Sequence, residues 1–231
     1  MHTGSEIESV SSVISEILSD KHCERCTLNK SKNHIFVRNE TISLNQDYHR
    51  EEIDLLFVAE SPPMAYLKDH SKYFYASGQV KRSGLFYHMM SVLFKNEMKK
   101  HSKHNKEHFL KKFRNESRFY LVDMVKCPIN KLFKKEKRKP IKSCSRYLNK
   151  ELHTLDFQRA VFIGKSSFKE ARKHLDLDFN YAVISLPFGS NKNVQDFREE
   201  LTALCELRSH VIPDRKGNYA HVQRKLTEYG R

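Results

Sequence analysis

Four short apolar runs, separated by stretches of helical character, constrain this chain more than any other feature. They are Ile53 to Ala59, Phe119 to Val125, Ala160 to Gly164 and Tyr181 to Leu186. Compact and almost wholly apolar, the first stopped by Pro62 and Pro63, they read as strands of a parallel sheet buried on both faces. Helical stretches lie near 84–99, 105–114, 144–155, 166–174 and 194–208. Strands alternating with helices imply an α/β fold, a three-layer α/β/α sandwich around a four-stranded parallel sheet. Such folds bind ligands at the C-terminal ends of their strands. Chemistry is therefore expected in the loops after Ala59, Val125, Gly164 and Leu186.

Ahead of the first run, Ile7, Val10, Ile14, Ile17 and Leu18 form one helical stripe over residues 5–20. A length of 231 residues suits a single domain over 1–231, with the N-terminal helix and a Cys-x-x-Cys clip at 5–28 and a basic tail from about 209 to 231. There is no internal repeat. No apolar run approaches bilayer length, and the polar, acid-bearing N-terminus resembles neither a secretory signal nor a transit peptide. A cytoplasmic monomer without a membrane partner is expected.

The formal charge is +14, from 42 Lys and Arg against 28 Asp and Glu. That excess points to a polyanionic partner, nucleic acid ahead of a membrane surface, because no basic amphipathic anchor or lipidation signal accompanies it. Basic residues concentrate at Lys131, Lys134, Lys135, Lys137, Arg138, Lys139 and Lys142. A second stretch, 95–112, holds seven lysines interleaved with His101, His104 and His108, and reads as a solvated loop. No Cys or carboxylate arrangement at metal-site spacing completes a site with its histidines.

Five cysteines stand at 23, 26, 127, 144 and 205. In a cytosolic setting a Cys-x-x-Cys pair is a metal clip rather than half of a disulfide framework. Cys23 and Cys26 follow a helix, Cys127 ends a strand, and Cys144 opens a helix. Four soft thiolates from two distant segments suit tetrahedral zinc or an iron–sulfur cluster. Cys205 lies at helical spacing within Leu201-Thr-Ala-Leu-Cys and reads as a core thiol.

With these pieces in order, the chain resembles the family 4 uracil-DNA glycosylases. The spacing of Cys23, Cys26, Cys127 and Cys144 is similar to the set that holds a [4Fe–4S] cluster in that family. Val58-Ala59-Glu60-Ser61-Pro62-Pro63 resembles its Gly-Glu-Ala-Pro-Gly loop, and Tyr73-Phe74-Tyr75 with Gly84-Leu85 resembles its Pro-Phe-Val-Gly and Ala-Gly-x-Leu-Leu region. Asp123-Met124-Val125-Lys126-Cys127-Pro128 resembles Asn-Val-Val-Lys-Cys-Arg-Pro, Ile163-Gly164 resembles the Leu-Gly before the third helix, and Ser185 to Ser190 takes the place of the His-Pro-Ser loop. The resemblance implies a monofunctional DNA glycosylase, a hydrolase of base excision and DNA repair with uracil as its default target base, and a structural [4Fe–4S] cluster or, alternatively, zinc. DNA, single- or double-stranded, is the implied partner.

Glycosidic hydrolysis builds positive charge on the sugar and negative charge on the departing base. It needs a carboxylate at the sugar, a donor for the base, and a platform for the flipped nucleotide. The resemblance gives Glu60 the first role and Asp123 the reading of the base edge. Phe74, then Tyr75, are the stacking candidates, and Ser61 and Pro62 shape the loop. Lys126, Lys131, Lys134, Lys135 and Lys192 are expected at phosphates, Ser190 and Asn191 as substitute donors, and Leu186 or Phe188 as a wedge in the emptied stack.

Two departures bear on the substrate. Asp123 replaces the family's uracil-reading Asn; an ionised carboxylate only accepts hydrogen bonds and suits an exocyclic amine, as on a modified cytosine. Leu186 stands where the His-Pro-Ser histidine would be. The alternative reading is a non-catalytic nucleic-acid or lesion-binding protein that keeps the fold and the cluster.

Overall fold

The computed structural model describes Ser15, Cys26, Leu28 and residues 32–49, 52–100 and 105–210; of Lys100 and 207–210 it describes the backbone alone. The helix expected over 5–20, Cys23 and the tail beyond 210 lie outside the described residues, apart from Ser15. The expected sheet is present. Strands β1 (Glu52–Ala59), β2 (Phe119–Asp123), β3 (Asp156–Ile163) and β4 (Tyr181–Ile184) form one all-parallel sheet in the order β2-β1-β3-β4. β3 begins four residues before its apolar run because its first half, Asp156 to Arg159, pairs with β1 while keeping polar residues toward solvent. β2 and β4 stop two residues sooner than expected, at Asp123 and Ile184, where the chain bends into the candidate site.

Helices α1 (Lys32–Asp47), α2 (Leu85–Leu93), α3 (Lys95–Lys100), α4 (Lys106–Lys111), α5 (Lys134–Thr154), α6 (Lys165–Ala171) and α7 (Asn191–His210) surround the sheet, giving a three-layer α/β/α architecture. Right-handed crossovers explain the layering. The step from β1 to β2 runs opposite to the steps from β2 to β3 and β3 to β4, so the segments between them fall on opposite faces. α2 packs on α7, and α5 on α6. The core between layers is rich in rings. Phe57 meets Phe113 and Phe119, while Phe162 meets Phe168 and Tyr181.

Two helices depart from expectation. α1 is largely polar and buries only Val37, Arg38, Thr41 and Ile42, too weak a stripe to read from hydrophobicity. The helix expected from 144 begins ten residues earlier, taking in the basic run 134–142, and Cys144 lies in the middle of α5 rather than at its start. Lysines on consecutive turns hide the helical period, and Pro140 interrupts it. The Glu136 carboxylate accepts the Phe133 N–H at 2.8 Å and so caps the first turn.

Gly164 joins β3 to α6 with φ +112°, a conformation that disfavours any Cβ. An added methyl would meet Leu186 Cβ at 3.9 Å, so backbone strain is the whole cost. Gly164→Ala should lower the unfolding free energy by about 1–3 kcal/mol, read as a lower urea midpoint at unchanged slope.

Candidate active site

Strand order locates the site before any side chain is considered. Connections leave β1 and β3 in opposite directions, so the crevice of this sheet opens at their C-terminal ends. Glu60 follows β1 directly and is 9% exposed, and one carboxylate oxygen is held by Lys137 from the first turn of α5. The register pairs Ala59 with Asp123, which brings a second carboxylate to the same end on the neighbouring strand. Beyond the strands the two loops stay tied, Met124 N–H donating to Ala59 O at 2.7 Å and Val125 N–H to Glu60 O at 3.1 Å.

Asp123 is 4% exposed. Burial pushes its carboxyl from the ordinary 3.8 up to about 7, against the opposing pull of Lys126 and the Tyr73 hydrogen bond. Tyr73 Oη lies 3.0 Å from Asp123 Oδ2 and also against Asn45 Oδ1. One phenolic hydrogen cannot serve both oxygens. The trio is satisfied when Asp123 carries a proton and donates it to the phenol, or when the Asn45 amide is turned. Among the described residues Asp123 Oδ1 makes no hydrogen bond, which leaves it for a ligand.

A second buried pair sits beneath. Lys126 donates to Asp123 O at 2.7 Å and pairs with Glu151 of α5. Read from sequence as a phosphate contact, Lys126 is instead buried with its ammonium committed to these partners. Lys137, Cys144 and Glu151 are spaced by seven, two helical turns, and share one stripe of α5. That stripe fastens the helix to both carboxylate-bearing loops.

The expected aromatic platform is packed into the core. Phe74 is 4% exposed, with Tyr75, Phe86 and Phe113 set edgewise around it. Tyr75 stacks on Tyr48 at 4.7 Å, and its hydroxyl accepts the Leu121 N–H at 2.7 Å, so it closes the core rather than awaiting a base. Ser61 Oγ accepts the Ile129 N–H at 3.3 Å, tying the β1 loop to the segment after Cys127, and Pro62 is buried beside it.

Lys106 corrects the reading of 95–112 as a solvated loop. It is 1% exposed, donates to Ser71 O at 3.2 Å and to Tyr73 O, and lies 4.8 Å over the Phe86 ring. Burial lowers its pKa to about 7. It holds the turn that delivers Tyr73 to Asp123. Neither Lys106 nor Asn45 carries a local motif, and only the fold brings them here.

After β4, Ser190 Oγ accepts the Asn193 N–H at 3.2 Å as the cap of α7, and Asn193 donates to Phe188 O at 2.6 Å. Phe188 is 38% exposed and meets His88 edgewise at 6.1 Å; Leu186 is half-buried. Burial, then Arg198, lowers the His88 pKa, and its Nδ1 has no partner among the described residues. Asn191, Lys192, Lys131, Lys134 and Lys135 are exposed.

Cys127 and Cys144 are buried and Cys26 is half-buried, soft donors largely shielded from water. Among the described residues no three His, Cys, Asp or Glu side chains gather closely enough to hold a metal ion; Cys23 lies outside them. No helix among the described residues is long and apolar enough to cross a membrane.

The chain is a doubly wound α/β protein with Glu60 and Asp123 at the C-terminal edge of its sheet, the edge where such sheets bind ligands. The uracil DNA glycosylase superfamily model matches residues 46–211, most of the chain and all four strands, and the chain belongs to that superfamily. A comparison with curated proteins finds no match.

The raised pKa of Asp123 makes a stability prediction. The folded state keeps a proton that the unfolded chain releases from about pH 4, so ionising Asp123 destabilises the fold as pH rises toward 7. Asp123→Asn removes that penalty. Its thermal midpoint should gain on wild type as pH climbs from 4 to 8; a difference independent of pH would contradict the assignment.

Proposed function

We propose that this chain is a monofunctional DNA glycosylase that hydrolyses the N-glycosidic bond of a flipped-out base bearing an exocyclic amine, such as a modified cytosine. The carrying observation is the register that sets Asp123 beside Ala59, so that Glu60, one residue past β1, and Asp123, the last residue of β2, lie at the same C-terminal edge of the sheet. Superfamily membership supplies the reaction class. Glu60, steadied by Lys137, positions water and offsets charge on the oxocarbenium-like sugar. Asp123 Oδ1 accepts from the amine of the base. With the Asn45 amide turned and Tyr73 donating to Oδ2, a proton on Oδ1 lets the same carboxyl donate to a carbonyl instead, so falling pH shifts preference toward uracil.

Lys131, Lys134, Lys135 and Lys192 meet phosphates, and Phe188 or Leu186 fills the gap left by the base. Ser190 and Asn191 border the α7 end of the cleft as donors. Cys23, Cys26, Cys127 and Cys144 would hold a structural [4Fe–4S] cluster, which pins the N-terminal segment beside the basic start of α5. Brown colour and stoichiometric iron and sulfide on anaerobic purification are expected; zinc alone would contradict this.

Glu60→Gln should lower base release by about 10²–10⁴-fold and leave DNA affinity within a few-fold. Four phosphate contacts set a slope of log affinity on log salt of about −3 to −4 for duplex DNA. The packed Phe74 and the Lys137-bound Glu60 favour a second reading, a lesion-binding protein without catalysis. Wild-type binding with no base released from any substrate would establish that reading instead.

A further inference from the structure

Among the described residues Phe133 is the most exposed large apolar side chain, 79% against 46% for Phe36 and 38% for Phe188. A lone exposed Phe ordinarily needs no explanation. This one is held in place on both sides. Before it, Asn130 Oδ1 accepts the Met64 N–H at 3.0 Å, and Ile129 N–H reaches Ser61 Oγ. After it, Lys137 closes the first turn of α5 through its N–H to Phe133 O at 3.2 Å and binds Glu60 with its side chain. The Phe133 N–H is itself fixed by Glu136. The backbone carrying the ring is thus anchored at three points to the loop that carries Glu60. Exposed Lys131, Lys134 and Lys135 flank it.

An aromatic ring on a rigid mount, between cations and beside an acidic crevice, matches the chemistry of a nucleic-acid strand: ring faces for stacking and phosphates for the lysines. A protein partner would want further apolar surface around the ring; Leu132 beside it packs against the core, and the exposed residues near it in sequence are charged, Lys131, Lys134, Lys135 and Glu136. We propose that Phe133 is a base-stacking contact for the DNA strand at the mouth of the site. This contact rests on the proposed function and adds to it a recognition residue outside the crevice. No charge is lost in Phe133→Ala, so stacking and phosphate binding separate experimentally.

The test is fluorescence anisotropy with a labelled single-stranded oligonucleotide over a salt series, on the full chain, with circular dichroism to confirm folding. Phe133→Ala should weaken binding by about 5–100-fold at every salt concentration, with the wild-type slope kept. Phe133→Trp should restore affinity, whereas Phe133→Leu, apolar without a π face, should not. The Lys134→Ala/Lys135→Ala double variant should instead flatten the slope by about 1.4, at roughly 0.7 per lysine on a single strand. Wild-type affinity in Phe133→Ala, or full rescue by Leu, would overturn the proposal. A wild-type chain that binds no oligonucleotide would overturn the proposed function as well. Binding that needs Phe133 without any base release would remove the glycosylase reading and uphold the contact.

Discussion

Much of this molecule is arranged around the burial of Asp123 at the end of β2. A carboxyl taken out of water must find partners or a proton. Here Tyr73 reaches it from one side and Lys126 lies below, itself balanced by Glu151. Asn45 of α1 extends the chain of polar contacts, and Lys106 fixes the Tyr73 carbonyl. Four separate segments converge to settle one side chain. Removing either member of the Lys126–Glu151 pair would strand a buried charge, a loss of about 3–5 kcal/mol in such settings.

Helix α5 carries the consequences outward. Its stripe of Lys137, Cys144 and Glu151 binds the Glu60 loop, a buried thiol position and the Asp123 loop in succession. The same helix begins with the basic, Phe133-bearing turn that faces solvent. Anything that shifts α5 therefore moves the Glu60 loop, the Asp123 loop and the basic turn together. Cys127 and Cys144 stand on either side of its basic start.

The sheet was legible because four buried strands leave compact apolar runs that no loop would tolerate; Glu60 and Asp123 were singled out by resemblance, and the runs put them at strand ends. Other parts were hidden for identifiable reasons. α1 buries a narrow, half-polar stripe, and the start of α5 is so rich in lysine that its period vanishes beneath charge. Lys106 and Lys126 look like any other lysine in a basic chain; only tertiary packing turns them inward. Phe74 and Tyr75 were placed at the base by resemblance, yet side-chain packing around the Phe57–Phe113 cluster draws them into the core. Phe133 gave no signal, because exposure is a property of the fold.

The central claim is that the acidic pair at the crevice excises an amine-bearing base from DNA. Its most direct test is mass-spectrometric detection of free base from oligonucleotides containing uracil, cytosine or modified cytosines, incubated with wild type and with Asp123→Asn. The account predicts release of an amine-bearing base by wild type at pH 8 and a shift toward uracil in Asp123→Asn. Uracil release by wild type at pH 8, unchanged in Asp123→Asn, would contradict it.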